Sequence, residues 1–327
     1  MRRRDFMRII GGAAAGWPFA VRAQQDGRVR RIGVLAGSTE DDIPTRANLT
    51  ALRDGLAKLG WIEGRNLRID VRFTQGNPDR IQAYAAELVR FAPDVIVATN
   101  RPATTAVQEQ TKTIPIVFTA GGDPVSNGVL QNIARPEGNT TGFANTVDSL
   151  SGKWLELLKE AAPNITRVAL VFNPQTVNVG YFSSIEAAAP QLGVQIFKIP
   201  VRNALELVRA IDEFATVPNS GLVVVPVLPS DSYQMLHLLT AQYRLPTVHY
   251  TRRYVAEGGL MTYATDLPDI YRQAATYVDR LLRGAKVREL PVQFPTKFEL
   301  VVNLKAATAI GLMIPESLLF RADEVIR

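Results

Sequence analysis

The chain has 327 residues, of which 46% are hydrophobic and 21% charged, a composition typical of a globular protein long enough for two domains. Most of the net charge of +6 comes from residues 1–23, with five arginines and one acid; the rest has 32 basic and 30 acidic residues, or +2. A nucleic-acid partner is therefore not expected, because it needs a basic patch on the folded part. The absence of cysteine excludes disulfides and thiolate metal sites, and only two histidines are present.

The first 23 residues have the features of an export signal. Residues 2–4 are all arginine, residues 9–20 are mildly apolar, and Val21 and Ala23 place small residues before a cut after Ala23. The apolar part is too short for a bilayer core of about 30 Å. The order RRDFMR at residues 3–8 resembles a twin-arginine signal, with the general export route as the alternative. We therefore predict a periplasmic protein whose signal is cleaved.

Alternating strands and amphipathic helices follow residue 30. Residues 32–36 form an apolar run typical of a buried parallel strand, and residues 45–59 carry leucines at helical spacing before Gly60. The remaining predicted elements of this first series are strands at 67–73, 94–99 and 114–118 and helices at 78–91 and 103–112.

The same order of elements recurs from residue 167. The second series contains predicted strands at 167–172, 194–201, 221–227 and 246–250 and helices at 181–192, 204–214 and 232–243. Matching positions of the two series are offset by 128 to 136 residues. Alternating β and α units predict parallel sheets covered by helices, so the chain is predicted to be an α/β protein with two doubly wound lobes. Chance similarity of α/β units is the alternative.

The C-terminal elements are too few to form a third domain. Strands at 260–263 and 298–302, a helix at 269–282 and a helical tail are expected to complete the two lobes. The predicted N-terminal lobe is 29–145 plus 265–293, and the C-terminal lobe is 146–264 plus 294–327. The chain would pass three times between them, with a hinge at Asn145, Ala264 and Phe294.

Candidate ligand-binding residues follow the carboxyl ends of the predicted parallel strands, where open α/β sheets bind ligands. In the first series these are Ser38, Thr39, Thr99, Asn100, Ala103, Thr104 and Asp123. In the second series they are Asn173, Leu228, Asp231 and Tyr250.

Several of these residues have a second interpretation. The helix start after Asn100 favours an anion, but Asn100 and Thr104 equally suit a helix cap. Asp123 either pairs with a ligand ammonium or forms a turn before a proline. Further candidate stacking groups are Tyr250, His249, Tyr254 and Trp61, although Trp61 more often only packs, and His237 is expected to be a surface or core residue.

Sequence motifs of common enzyme classes are absent. The sequence contains no G-x-G-x-x-G after the first strand, no P-loop, no nucleophile elbow and no H-E-x-x-H. We therefore expect no enzyme activity, no cofactor and no metal. Catalysis by a pair of carboxylates stays open as an alternative, because it needs no local motif.

Three stretches resemble one known family. They are IPIVF…DPV…PEGNTTG within residues 114–142, LLKE…P…VFNP within 157–174, and GLMIP…RADEVI within 311–326. Their order and spacing resemble the ABC-transporter substrate-binding family that includes tryptophan- and tyrosine-binding proteins, over nearly all of residues 30–327. The resemblance implies a type I periplasmic-binding-protein fold with a three-crossover hinge and capture of a solute between the lobes. It also implies that the candidates Ser38, Thr39, Thr99, Asn100, Ala103, Thr104, Asp123 and Asn173 face the solute.

These observations together predict the periplasmic solute-binding component of an ABC importer. Its expected partners are a small solute, namely an amino acid or similar small carboxylate, and a membrane permease driven by a separate ATPase. It is expected to be a monomer. The alternatives are a sensor module for a membrane receptor and an enzyme on the same scaffold. A transcription regulator is disfavoured, because the leader occupies the place of a DNA-binding helix-turn-helix.

Overall fold

The computed structural model describes residues 28–125, 128–146, 150–175, 177, 180–225, 228 and 232–327. The predicted export signal and Asp231 lie outside the described residues. The described chain forms two compact units. The first contains the residues up to Thr119 together with Ala134–Gly142 and Tyr271–Pro291, and the second contains Ala120–Ile133, Phe143–Ile270 and Val292–Arg327.

The first unit is built on a five-stranded sheet. Its strands are β1 (Arg30–Ala36), β2 (Leu67–Phe73), β3 (Val95–Ala98), β4 (Ile116–Phe118) and β5 (Thr140–Gly142). All neighbouring pairs are parallel, in the order β2-β1-β3-β4-β5. The connecting helices are α1 (Ile43–Lys58), α2 (Pro78–Arg90) and α3 (Arg101–Gln110).

Local sequence signals explain where these helices begin. Helix α1 starts two residues earlier than predicted, because the Asp42 side chain accepts a hydrogen bond from the Thr45 N–H at 3.0 Å. Asn77 caps α2 in the same way, and Pro78 occupies its first turn, where no N–H is needed. The apolar faces of α2 and α3 pack with β1, β3 and β4 in one buried cluster that includes Leu35 and Ile96.

The second unit is built on a seven-stranded sheet. Its strands are β6 (Arg167–Phe172), β7 (Gln195–Pro200), β8 (Ser220–Val224), β9 (Thr247–His249), β10 (Met261–Thr265), β11 (Phe298–Asn303) and β12 (Glu324–Ile326). The helices of this part are α4 (Leu150–Ala161), α5 (Gly180–Ala188), α6 (Ala204–Phe214), α7 (Ser232–Gln242), α8 (Arg252–Ala256), α10 (Leu304–Ala309) and α11 (Glu316–Arg321). Helix α9 (Leu267–Leu282) begins in the second unit and continues in the first.

The two sheets repeat one strand order. The order β7-β6-β8-β9-β10 in the second unit matches β2-β1-β3-β4-β5 in the first, and β11 and β12 extend the second sheet. This agrees with the duplication expected from the sequence and confirms an α/β fold with two doubly wound lobes. One pair departs from the expected parallel arrangement, because β10 and β11 run antiparallel.

Several elements were not predicted from the sequence. Strands β5 and β12 have three residues each and α8 has five, too short for a hydrophobic period to appear. Helix α4 was also missed, although its Trp154 is 1% exposed and donates its indole N–H to the Tyr263 carbonyl at 2.7 Å. The C-terminal tail was expected to be only helical, but β12 pairs there with β11.

The predicted crossing points lie near some of the boundaries between units. The chain changes unit after residues 142, 270 and 291, close to Asn145 and Phe294 but farther from Ala264. Ala264 lies within β10 and pairs with Glu299 of β11, so this hinge position is a paired strand interior. The segment Ala120–Ile133 was expected in the N-terminal lobe, whereas its contacts place it in the second unit and add two further crossings.

Asn145 forms hydrogen bonds with two other segments of the second unit. Its Oδ1 accepts hydrogen bonds from the N–H groups of Gly121 at 3.1 Å and Gly122 at 3.2 Å. Its carbonyl accepts from the Thr265 hydroxyl at 2.8 Å. Asn145 therefore holds the start of the 120–133 segment beside the end of β10.

Candidate functional site

The loops after β1 and β3 are bound to each other in the first unit. These strands are neighbours in the sheet, and the strand order reverses around them, which is where open α/β sheets bind ligands. The Gly37 N–H donates to Thr99 Oγ1 at 3.0 Å, and the Thr99 N–H donates to the Leu35 carbonyl at 3.1 Å. A Cβ on Gly37 would lie 1.8 Å from Asn100 Nδ2, so a larger residue at position 37 would displace the Asn100 side chain.

The start of α3 is capped by its own side chains. Asn100 Oδ1 accepts from the Ala103 N–H at 2.9 Å, while the Asn100 carbonyl accepts from both the N–H and the hydroxyl of Thr104. Pro102 has no N–H group. Among the backbone N–H groups of the first turn, that of Arg101 is therefore the one that these bonds do not use. Ala103 and Thr104 are buried. The cap, one of the two predicted roles, is therefore present, and it consumes most of the donors that an anion would need.

Ser38 and Thr39 present oxygen acceptors. The Thr45 hydroxyl donates to Asp42 Oδ2 at 2.6 Å, and Ser38 Oγ lies 2.5 Å from Thr45 Oγ1. Since the Thr45 proton is committed to Asp42, the Ser38 hydroxyl is the donor in that pair and keeps its lone pairs for another partner. A hydrogen bond from Thr39 lowers the pKa of the Asp41 carboxyl. Thr39 thus donates to the exposed Asp41 carboxylate, and both half-buried hydroxyls keep lone pairs as acceptors.

Tyr271 also lies at this edge, although no sequence pattern indicated it. Tyr271 comes from α9 and is 5% exposed. Burial raises the pKa of its phenol, and hydrogen bonding with the side chains of Thr119 and Thr99 acts in the opposite direction. Tyr271 therefore lies near the Thr99 side chain, which accepts the Gly37 N–H.

The carboxyl edge of the second sheet carries a pair of tyrosine hydroxyls. Strands β6, β8 and β9 are neighbours, so the loops with Asn173, Leu228 and Tyr250 follow adjacent strands. The Leu228 N–H donates to the Tyr233 hydroxyl at 3.2 Å, which lies 3.5 Å from the Tyr250 hydroxyl. Burial raises the pKa of Tyr250 well above its ordinary value and also raises that of Tyr233. Both phenols are therefore protonated at neutral pH.

Asn173 and Asp123 both form turns. Asn173 Oδ1 accepts from the Gln175 N–H at 3.0 Å, and Asp123 Oδ1 accepts from the Val125 N–H at 2.9 Å. These bonds are Asx turns, so the turn role expected for Asp123 is present. Chain order predicted Asp123 at the edge of the first sheet, but its contacts place it in the second unit.

The remaining aromatic candidates divide into two groups. The Trp61 indole N–H donates to Asp279 Oδ1 at 2.8 Å, and the Arg283 guanidinium lies 5.6 Å from the ring, so Trp61 packs within the first unit. His249 and Tyr254 are buried in the second unit, and the His237 ring stacks on Tyr254. The described part of the chain contains no cluster of three or more His, Cys, Asp or Glu suited to a metal ion. None of its helices is long and apolar enough to cross a membrane.

Two doubly wound sheets with the same strand order, each carrying hydroxyls and amides at its carboxyl edge, define the class of two-lobed periplasmic-type binding folds. The model of the ABC transporter substrate binding protein family matches residues 40–326. The chain belongs to this family.

Known proteins of this kind resemble the chain over most of its length. A tyrosine-binding protein of Clostridioides difficile (strain R20291) is 26% identical over 251 residues, covering 75% of this chain and 70% of that protein. The crystal structure of a conserved domain protein from Vibrio cholerae is 28% identical, with a TM-score of 0.76 over 91% of this chain and 100% of that one. A Streptococcus pneumonia ABC domain in complex with L-Trp is 23% identical, with a TM-score of 0.76 over 91% and 99%. The fold is thus the type I periplasmic-binding-protein fold.

Proposed function

We propose that this chain is the solute-binding component of an ABC importer, which captures a small solute and delivers it to a membrane permease. The observation that carries this proposal is the family match over residues 40–326. The two sheets with polar carboxyl edges support it, because such edges are where α/β proteins of this topology bind ligands.

The proposed solute is an amino acid or similar small carboxylate. A relative named for tyrosine and a structural neighbour holding L-Trp support this class. The first edge adds a chemical argument of its own. Ser38 and Thr39 offer lone pairs beside the carboxylates of Asp41 and Asp42, a combination that favours a ligand ammonium. The capped start of α3 offers an anion only one free backbone donor, that of Arg101.

The candidate residues fall into two proposed groups, those that contact the solute and those that support the contacting residues. We propose that the side chains at the two edges contact the solute, namely Ser38, Thr39, Asn100, Asp123, Asn173, Asp231 and Tyr250. Other candidates support them by fixing their loops, namely Thr99, Ala103, Thr104 and Leu228. Asp231 enters on its sequence position alone.

The proposal also includes export and the absence of catalysis. Residues 1–23 would direct export and be cleaved, leaving a mature chain that diffuses in the periplasm as a monomer. We propose that the solute is bound and released without chemical change, as the names of the relatives indicate for those proteins.

Purification of the mature chain followed by mass spectrometry of the co-purifying small molecules tests the solute class directly. The refolded chain is then screened against the twenty common amino acids and small carboxylates by thermal unfolding. A true ligand at about 100 times its Kd raises the free energy of unfolding by about 2.7 kcal/mol. Conversion of a panel compound, or no stabilisation by any of them, would overturn the proposal.

Two tyrosine variants test whether the solute contacts the carboxyl edge of the second sheet. Tyr250→Phe removes one hydroxyl of the tyrosine pair and should weaken solute binding. Tyr243→Phe is the matched control, because the Tyr243 hydroxyl is exposed and donates to Asp212 instead. Equal affinities of both variants and the wild type would remove Tyr250 from the site. Delivery is tested with the permease and ATPase reconstituted in vesicles, where uptake should require the chain.

A further inference from the structure

The only two histidines of the sequence belong to one stack of aromatic rings in the second unit. The ring of His237 lies 4.5 Å from that of Tyr254, between centroids, with an interplanar angle of 17°. The Tyr254 ring also stacks on His249, with a centroid distance of 4.4 Å and an interplanar angle of 12°. His249 in turn stacks on Tyr250, with a centroid distance of 4.8 Å and an angle of 28°. His249 thus lies between two tyrosine rings, one of which is a candidate solute contact.

Hydrogen bonding fixes the neutral form of His249. Its Nδ1 accepts the Thr251 N–H at 3.3 Å, so this nitrogen carries no proton and the ring proton is on Nε2. His249 is fully buried, and within the described chain its Nε2 has no hydrogen-bond acceptor. A second proton on Nδ1 would remove the bond from Thr251 and leave a cation without a counter-ion in the stack.

Among the described residues, the groups that contact His249 do not supply that counter-ion. From α7, the rings of Tyr233 and His237 face the stack, and from α8 the ring of Tyr254 does. The charges that act on these rings are those of Glu257, which raises the pKa of His237, and of Arg253, which lowers the pKa of Tyr233 and Tyr250. Strand β10 contributes the uncharged Thr262, whose hydroxyl donates to the His249 carbonyl at 2.6 Å.

Burial, rather than a neighbouring charge, dominates the titration of both rings. Burial lowers the pKa of His249 well below its ordinary value, and the charge of His237 lowers it further. Burial also lowers the pKa of His237, against the opposing effect of Glu257. The lowered pKa values keep both imidazoles of the intact stack uncharged at neutral pH.

The stack is joined directly to the tyrosine pair at the carboxyl edge. His249 is the last residue of β9, and Tyr250 follows it with its ring against the imidazole. The Tyr250 hydroxyl lies beside that of Tyr233, which accepts the Leu228 N–H. The His249 ring is therefore connected through Tyr250 to the Tyr233 hydroxyl and the Leu228 N–H.

We propose that neutral His249 is a positioning residue, which holds Tyr250 in place for the solute, and that its protonation in acid releases Tyr250 and weakens solute binding. This inference rests on the proposed function, because Tyr250 is a solute contact only there. The opened form exposes the imidazole and binds a proton with an ordinary affinity near pH 6.5, whereas the stacked form does not. Because opening the stack costs free energy, the free protein takes up this proton only below about pH 6.5, and there the affinity should fall by up to about tenfold per pH unit.

Solute binding between pH 8 and pH 5 tests the inference, using whichever panel amino acid binds at pH 8. The Kd of the wild type should be constant above about pH 6.5 and should rise as the pH falls toward about 5. His249→Phe keeps an aromatic ring in the stack but cannot titrate, so its Kd should lose most of that pH dependence. His249→Gln removes the ring and should weaken binding at all pH values. Tyr243→Phe, at a site away from the stack, should retain the wild-type profile.

A second measurement needs no solute, so its failure is distinct from a failure of the proposed function. With labelled tyrosine and histidine, NMR follows the two imidazoles and the Tyr250 ring of the free protein. The Tyr250 signals should shift or broaden as the pH falls from 6.5 to 5 in the wild type, but not in His249→Phe. An unchanged Tyr250 ring at pH 5, or a pH-dependent Kd retained in His249→Phe, would overturn the positioning role. Binding of no panel solute at pH 8 would count against the proposed function alone.

Discussion

Replacing Gly37 with alanine tests the close approach of the two loops in the first unit. The added Cβ would lie 1.8 Å from Asn100 Nδ2, so the Asn100 side chain must move away from its cap on Ala103. Loss of such a cap costs about 1 kcal/mol, and an off-rotamer side chain costs about 0.5–1.5 kcal/mol more. We therefore expect Gly37→Ala to destabilise the start of α3 by about 2 kcal/mol.

A double-mutant cycle separates this clash from a general effect on the loop. Asn100→Ala removes the cap and the clashing amide together, so it should cost about 1 kcal/mol by itself. In that background, Gly37→Ala should cost little, because Gly37 is not in the left-handed region that favours glycine. The two substitutions should therefore be non-additive by about 1–2 kcal/mol.

Amide hydrogen exchange at Ala103 measures the local stability of the start of α3 in each variant of the double-mutant cycle. Each kcal/mol of local destabilisation should raise the exchange rate about fivefold. Asn203→Ala is the matched control, since Asn203 caps α6 of the second unit at 2.9 Å from the Glu206 N–H and has no contact with Gly37. Additivity of Gly37→Ala with Asn100→Ala within about 0.5 kcal/mol would refute the reasoning, whereas additivity with Asn203→Ala is expected.

Three further predictions concern stability. Gly142→Ala should abolish soluble expression, because Gly142 has φ +154° and its Cβ would lie 2.1 Å from the carbonyl oxygen of Phe118. Trp154→Ala should lower the free energy of unfolding by about 3–5 kcal/mol in urea titrations, and Trp154→Phe by much less; equal losses would contradict the packing argument. Stability should also fall in acid, because the pKa of His249 is lowered in the folded state, so the unfolded chain takes up a proton as the pH drops below about 6.5. At pH 5.5 this costs about 1.4 kcal/mol, and thermal unfolding of His249→Phe should lack that part of the pH dependence.

Local sequence patterns were sufficient to predict most of the architecture. An apolar run such as residues 32–36 and a leucine period such as 45–59 record which face of each element is buried, and that information is local. Alternation of the two implies parallel sheets, and the edge where loops carry function follows from the direction of the strands. The two-lobed fold and the edge of the candidate site therefore came from sequence alone. The family resemblance came from short motifs in fixed order.

The tertiary structure decided what individual side chains do. Whether Asn100 caps a helix or contacts a ligand depends on its distance from Ala103 and Gly37, and Gly37 comes from another strand. The start of the 120–133 segment is bonded to Asn145 of the second unit through Gly121 and Gly122, which are more than twenty residues away from it in the chain.

The stack of His237, Tyr254, His249 and Tyr250 is the clearest example of contacts that the sequence could not predict. Its rings come from α7, from the end of β9 and from α8, and nothing in the spacing of residues 237, 249, 250 and 254 indicates that they meet. Sequence periodicity reports only that a residue is buried, whereas the partner of a buried ring is set by the packing of separate elements. The sequence therefore determined which edges carry the candidate residues, and long-range packing determined which of those residues are buried, capped or hydrogen-bonded.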